Sequence, residues 1–252
     1  MYNQRNNSPF GGGNRLFGGS RYQYETVPYG YEATQTGGLI SKVMGLLAFS
    51  FLFAAIGTFA GFALYSAGGY GIGTYFIVAI GGLVVLIILN FTVRVPGLNL
   101  FLLYLFTFLE GMSLTPIIAY YLATNANILG EAFLITTIAS LGLAVYAWTT
   151  RRSFAGIGTY LFVGLIVLIV LSIAGIFFQG FFHTTLIQLF ISILGIAIFS
   201  GYVLYYVQSA KNVADTMPNA ILLTVSIFIS VLNLFLFILR LLSILQGGDR
   251  RR

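Results

Sequence analysis

The sequence predicts an all-α, polytopic membrane protein of seven transmembrane helices. Only 7% of its 252 residues are charged, where a soluble domain carries about 25%. Apolar residues make up 58% and mean hydropathy is +0.95. Too few charges are present to solvate a globule of this size. The third observation is a series of seven apolar runs, each long enough to cross a hydrocarbon layer of roughly 30 Å. They read as helices because an unclosed strand leaves backbone groups unpaired in lipid. The alternating segments of about ten residues that barrel strands need are missing.

Residues 1–38 differ in kind from the rest. They are rich in Gly, Asn, Gln and Tyr, show no periodicity, and read as a disordered, cytoplasmic tail. The transmembrane domain is expected over 39–245. Its first run, about 39–65, contains Gly57 and Gly61, a small-xxx-small pattern that lets helices approach closely. The second is about 73–91. The third, 98–122, carries Glu110 near its middle and Pro116 within two turns, which predicts a kink. The fourth is 128–148, the fifth 158–178, the sixth about 184–207 and the seventh about 220–245. A short basic tail, 246–252, ends the chain. The first apolar run begins only at Leu39, so no cleavable signal peptide is expected before it, and the first span is the expected targeting signal.

The few charges follow the connections. Arg5, Arg15, Arg21 and Lys42 precede or open the first run, Arg94 follows the second, Arg151 and Arg152 the fourth, and Lys211 the sixth. The alternate loops hold no Lys or Arg. The positive-inside rule therefore places the N-terminus in the cytoplasm of a cell-membrane protein. Seven crossings place the C-terminus outside, with Arg250, Arg251 and Arg252; a re-entrant last run would return it to the cytoplasm.

Function must then be sought at membrane depth. The chain has no cysteine, so disulfides, thiolate metal sites and cysteine nucleophiles are excluded. HExxH, GxSxG and Walker A sequences are absent, and the glycines of GGYGIG follow no strand, so an enzyme is not expected. The lone His183 lies in a loop and makes no metal site without a second ligand. No cofactor is expected, nor a nucleic-acid partner; the bilayer is the expected environment. Ionisable groups within the runs are Lys42, Glu110, Glu131 and Arg240. All but Glu110 lie near enough to an interface to snorkel or reach water. Thr107 and Ser113, three residues either side of Glu110, share its helical face. A carboxyl at that depth is costly and marks an ion or proton path by default, with a buried, hydrogen-bonded structural acid as the alternative. Ser226, Ser230 and Asn233 form a weaker stripe on the seventh run, read as interhelical hydrogen bonding worth about 0.6 kcal/mol each.

FSGYVLYYVQSAKN at 199–212 and VSIFISVLNLFLFILRLLSIL at 225–245 resemble the C-terminal signature of the Bax inhibitor-1, or transmembrane Bax-inhibitor-motif, family. The loop TTRRSFAG at 149–156 and EGMSLTPI at 110–117 fit the same pattern. The resemblance spans about 39–245. It implies six helices wrapped around a central seventh, C-terminal helix, and activity as a pH-sensitive calcium leak. In bacterial relatives an aspartate on the sixth span and one on the seventh form a carboxyl pair that holds one proton. Here the matching positions are Tyr206 and Ser230, so both acids are gone. The two are expected to share a hydrogen bond as a latch, without a switch near neutral pH, since tyrosine titrates near 10. Glu110 is left as the deep carboxylate, with Arg240 as a candidate counter-charge. The expected function is an ion channel or leak pathway for Ca2+ or another cation. The alternative is a non-conducting interaction protein that regulates a membrane protease or stress and cell-death machinery.

Overall fold

The computed structural model describes residues 36–182 and 184–247. The N-terminal tail up to residue 35, the basic end at 248–252 and His183 lie outside them. Nine α-helices are found among the described residues: α1 Thr36–Ser66, α2 Ile72–Thr92, α3 Leu98–Ser113, α4 Thr115–Thr124, α5 Ala126–Thr149, α6 Gly158–Phe177, α7 Gln179–Phe182, α8 Thr185–Ser209 and α9 Met217–Gly247. With α3 and α4 taken as one, seven are long and apolar enough to cross a membrane.

The helix α9 is the axis of the bundle. In its most apolar stretch 67% of residues are buried, against 6–39% in the other six spans. A helix that is apolar all round needs protein or lipid on every face. Here the cover is protein, because α9 packs against α1, α3, α5 and α8. Ala220, Ile221, Leu223, Phe228, Leu234 and Leu239 are fully enclosed. At the other extreme α6 presents Val163, Ile169, Val170, Ile173 and Ile176 outward, as a lipid-facing helix must. The predicted central C-terminal helix and the all-α, seven-span architecture are both present.

Close approach between α1 and α3 depends on glycine. A Cβ added at Gly57 would collide with the Phe108 carbonyl, one at Gly61 with Thr115 Oγ1, and one at Gly111 with the backbone of Ala54. The small-xxx-small reading of α1 thus finds its partner on α3. Thr58 Oγ1 seals the contact, donating to Gly111 O at 2.8 Å. The far end of α1 closes on Gly68, whose φ of +74° is the left-handed value glycine adopts freely. Gly68 N donates to Tyr65 O and Gly69 N to Leu64 O, the paired bonds of a Schellman cap.

The third span distorts as Pro116 predicts, with the helix interrupted at Leu114, two residues before the proline. Proline has no N–H and its ring crowds the carbonyl four residues back, so the disruption falls in the preceding turn. That carbonyl belongs to Met112, and Tyr70 Oη donates to it at 2.6 Å. Burial raises the Tyr70 phenol above its ordinary pKa and nearby Tyr75 adds to the effect, so the hydroxyl remains a donor at neutral pH.

Polar contacts fasten the two ends of the bundle. Lys42 Nζ pairs with Asp215 Oδ1 at 2.9 Å, tying the start of α1 to the α8–α9 loop, where snorkelling alone was expected. Gln208, buried near the end of α8, accepts from Phe154 N and donates to Arg152 O, which holds the α5–α6 loop. Lys211 sits over the Trp148 ring, 5.3 Å from its centroid. At the opposite end Gln246 Nε2 donates to Glu131 Oε2 at 2.6 Å, tying α9 to α5.

Candidate functional site

Glu110 stands about 18 Å along the helix from Leu98, and about 21 Å of span remain to Thr124, at 1.5 Å per residue. Half-way across, neither interface is within reach of its side chain. The carboxyl borders a cavity of about 610 Å3 formed by α2, the α3–α4 break and α9. From α2 come Tyr75, Ala79, Leu83 and Leu86; from the break region Phe106, Glu110, Ser113, Leu114, Pro116 and Ile117; from α9 Ile229, Leu232, Asn233 and Leu236. The break makes part of this space, since Leu114, Pro116 and Ile117 all lie at or just beyond it. Outside the lining, a Cβ added at Gly82 of α2 would stand 3.4 Å from Glu110 Oε1, an ordinary contact distance. Among the described residues no side chain forms a hydrogen bond or ion pair with the Glu110 carboxyl.

The residues expected around Glu110 divide. Ser113 lines the cavity, with its hydroxyl donating to Glu110 O at 2.7 Å. Thr107 is fully buried outside the cavity lining and donates to Tyr104 O at 3.1 Å. Arg240 also lies outside the lining; its guanidinium is close enough to the Tyr121 phenol of α4 to interact with it electrostatically. It sits seven residues, about 10 Å, beyond Asn233 along α9. The ion pair found among the described residues is Lys42–Asp215, not Glu110–Arg240.

Asn233 takes the place expected of Arg240 as the polar residue of α9 in the cavity. Its Nδ2 donates to Ile229 O at 2.8 Å, which leaves Oδ1 as an acceptor. The sequence signal was present in the Ser226, Ser230, Asn233 stripe. All three donate within α9, Ser226 to Leu222 O, Ser230 to Ser226 O and Asn233 to Ile229 O, so none gives the interhelical bond expected of the stripe, and of the three only Asn233 lines the cavity.

Ser230 therefore does not donate to Tyr206, so the latch expected of that pair has no bond with serine as donor. Tyr206 instead stacks on Tyr202, with ring centroids 5.6 Å apart and planes within 11°. It meets Tyr205 edge-on at 5.2 Å. The two former aspartate positions thus lie on the packed α8 and α9, outside the cavity lining that holds Glu110.

The chain's whole acid inventory is Glu25, Glu32, Glu110, Glu131, Asp215 and Asp249. Glu131 and Asp215 are engaged at opposite ends of the bundle. Glu110 accordingly supplies the cavity with a single carboxyl, in mostly apolar walls that also include the polar side chains of Tyr75, Ser113 and Asn233.

Comparison with known proteins agrees with the architecture. The family model described as "Inhibitor of apoptosis-promoting Bax1" matches residues 36–247. An uncharacterized protein of Campylobacter jejuni is 35% identical over 203 residues, 77% of this chain and 86% of its own length. Protein lifeguard 4 of Mus musculus is 29% identical over 165 residues, 66% of either chain. The Golgi anti-apoptotic protein of Vaccinia virus is 31% identical over 147 residues, 58% of this chain and 59% of its own length. With six apolar spans and a buried, C-terminal seventh among the described residues, and with the family's pattern running from the first described helix to the last, this multi-pass membrane protein belongs to the Bax inhibitor-1 family.

Proposed function

We propose that the protein is a cation or proton leak pathway whose ion-binding group is Glu110. One observation carries the reading: a carboxyl at mid-membrane depth, without a protein partner among the described residues, borders a cavity of about 610 Å3. Intramembrane acids are expensive and persist where they serve transport. Ser113 and Asn233 complete the oxygen set; Thr107 and Arg240 have no direct part. The family resemblance points to calcium. A Ca2+ ion takes 6–8 oxygen ligands, commonly several carboxylates, so one carboxyl favours protons or singly charged ions. Flux from proteoliposomes tests this. Wild type should dissipate proton or K+ gradients above the protein-free rate. Calcium flux that exceeds both would reverse the proposed selectivity.

Tyr206 and Ser230, in the positions of the aspartate pair, support a pathway without that pair's switch. Tyr206→Asp combined with Ser230→Asp is expected to confer a pH-dependent flux that wild type lacks, because two carboxyls sharing one proton raise one of their apparent pKa values. A flat profile in the double variant would remove the pair from the account.

The charge pattern supports a cytoplasmic N-terminus and an external C-terminus. A cysteine at Ser153 should then resist an impermeant thiol reagent added outside cells, while one at Asn125 reacts. The opposite pattern would invert the topology.

The likeness to the viral Golgi anti-apoptotic protein favours a second reading as a non-conducting partner of cell-death or stress machinery. Wild-type flux equal to that of protein-free liposomes would select it.

A further inference from the structure

The walls of the Glu110 cavity are mostly apolar. Leu83, Leu86, Phe106, Leu232 and Leu236 are among the residues that make them so. Leu83 is 56% exposed while lining the cavity, so the space reaches the outer surface of the bundle. The helix α2 packs on α3 and is not among the main partners of α9, although both border the cavity. The mouth therefore lies between α2 and α9, at a depth where the surroundings are lipid tails.

An apolar chamber that opens sideways and holds one carboxyl calls for a ligand of matching pattern. We propose that it binds a membrane-dissolved amphiphile with a single ammonium group on an aliphatic body. An ammonium offers three N–H donors and no acceptor. Among the residues that line the cavity, Glu110, Asn233 and Ser113 carry acceptor oxygens, the carboxyl supplying the charge. The aliphatic body rests on the leucines and Phe106. A volume of about 610 Å3 lies within the roughly 300–1,000 Å3 that enclose small organic ligands. Charge selects among lipid-soluble candidates. A fatty carboxylate brings a like charge to Glu110, and a fatty alcohol brings none. A ligand seated there occupies the proposed pathway and blocks it. The inference rests on the same carboxyl as that pathway, but binding is measured apart from flux.

The test uses the full chain in nanodiscs of zwitterionic lipid, with dodecylamine hydrochloride as probe and dodecanol and sodium dodecanoate as comparison compounds. Dodecylammonium should raise the thermal unfolding midpoint saturably, and the other two should not. Glu110→Gln should shift half-saturation by about tenfold or more, the loss expected for one charge-assisted contact. Leu83→Trp, which fills the mouth and keeps the carboxyl, should abolish the saturable shift. An equal response to dodecanol, an unchanged response in folded Glu110→Gln, or no saturable shift in folded wild type would overturn the site. Binding without wild-type flux would overturn the pathway and leave the site standing; flux without binding would do the reverse.

Discussion

Gly111→Ala is expected to destabilise the protein by about 1–3 kcal/mol, and Gly111→Leu to prevent accumulation of folded protein. The added Cβ overlaps the backbone of Ala54, not a side chain that can rotate away, so α1 and α3 must separate as whole helices. Separation also breaks the 2.8 Å contact of Thr58 Oγ1 with Gly111 O, leaving the hydroxyl its bond to Ala54 O within α1. Gly45→Ala on the same α1 is the control, because nothing lies within 4 Å of its added Cβ. That change should be neutral or slightly stabilising, since alanine is the better helix former. Thermal unfolding in detergent compares the variants. A Gly111→Ala midpoint equal to that of Gly45→Ala would refute the close approach.

The second large effect concerns Glu110→Gln. Glutamine keeps the shape and removes the charge, so the helix break, the Gly82 contact and the cavity volume should persist. Thermal stability is expected to stay level or rise, because a group that is costly to ionise in an apolar setting is gone. Proton or K+ flux should fall by about tenfold to a hundredfold, the factor for losing one charge-assisted interaction of roughly 1.5–3 kcal/mol. Glu110→Asp keeps the charge on a shorter arm and should retain part of the flux. Stability loss together with full flux in Glu110→Gln would mark the residue as structural.

Hydropathy made the seven spans legible, because each had to satisfy its backbone inside about 30 Å of hydrocarbon. The proline in EGMSLTPI announced a distortion but not its site. The break fell at Leu114 because steric conflict acts on the turn before a proline. The central place of α9 came from the family resemblance; its even apolarity was compatible with either lipid or protein around it. Glu110 was conspicuous as a lone carboxyl in a long apolar run. Its neighbours were harder to read. Helical spacing put Thr107 and Ser113 beside it, yet three residues along a helix turn through about 300°, and only Ser113 borders the cavity. Arg240 drew notice through its charge, while the polar residue that reaches the cavity from α9 is the uncharged Asn233. Asp215 passed unnoticed because a loop carboxylate is ordinary until the fold brings Lys42 within 2.9 Å of it.

The account turns on whether water and small ions reach position 110 in the folded protein. The chain lacks cysteine, so Glu110→Cys carries a unique thiol. Reaction of this variant with a charged, membrane-impermeant thiosulfonate, applied to intact proteoliposomes, reads that access directly. The cavity extends from mid-depth toward Tyr75 and Ile117, so labelling is expected from the side that bears the α1–α2 loop. A thiol that stays unreactive from both sides, yet labels after denaturation, would contradict a pathway through Glu110.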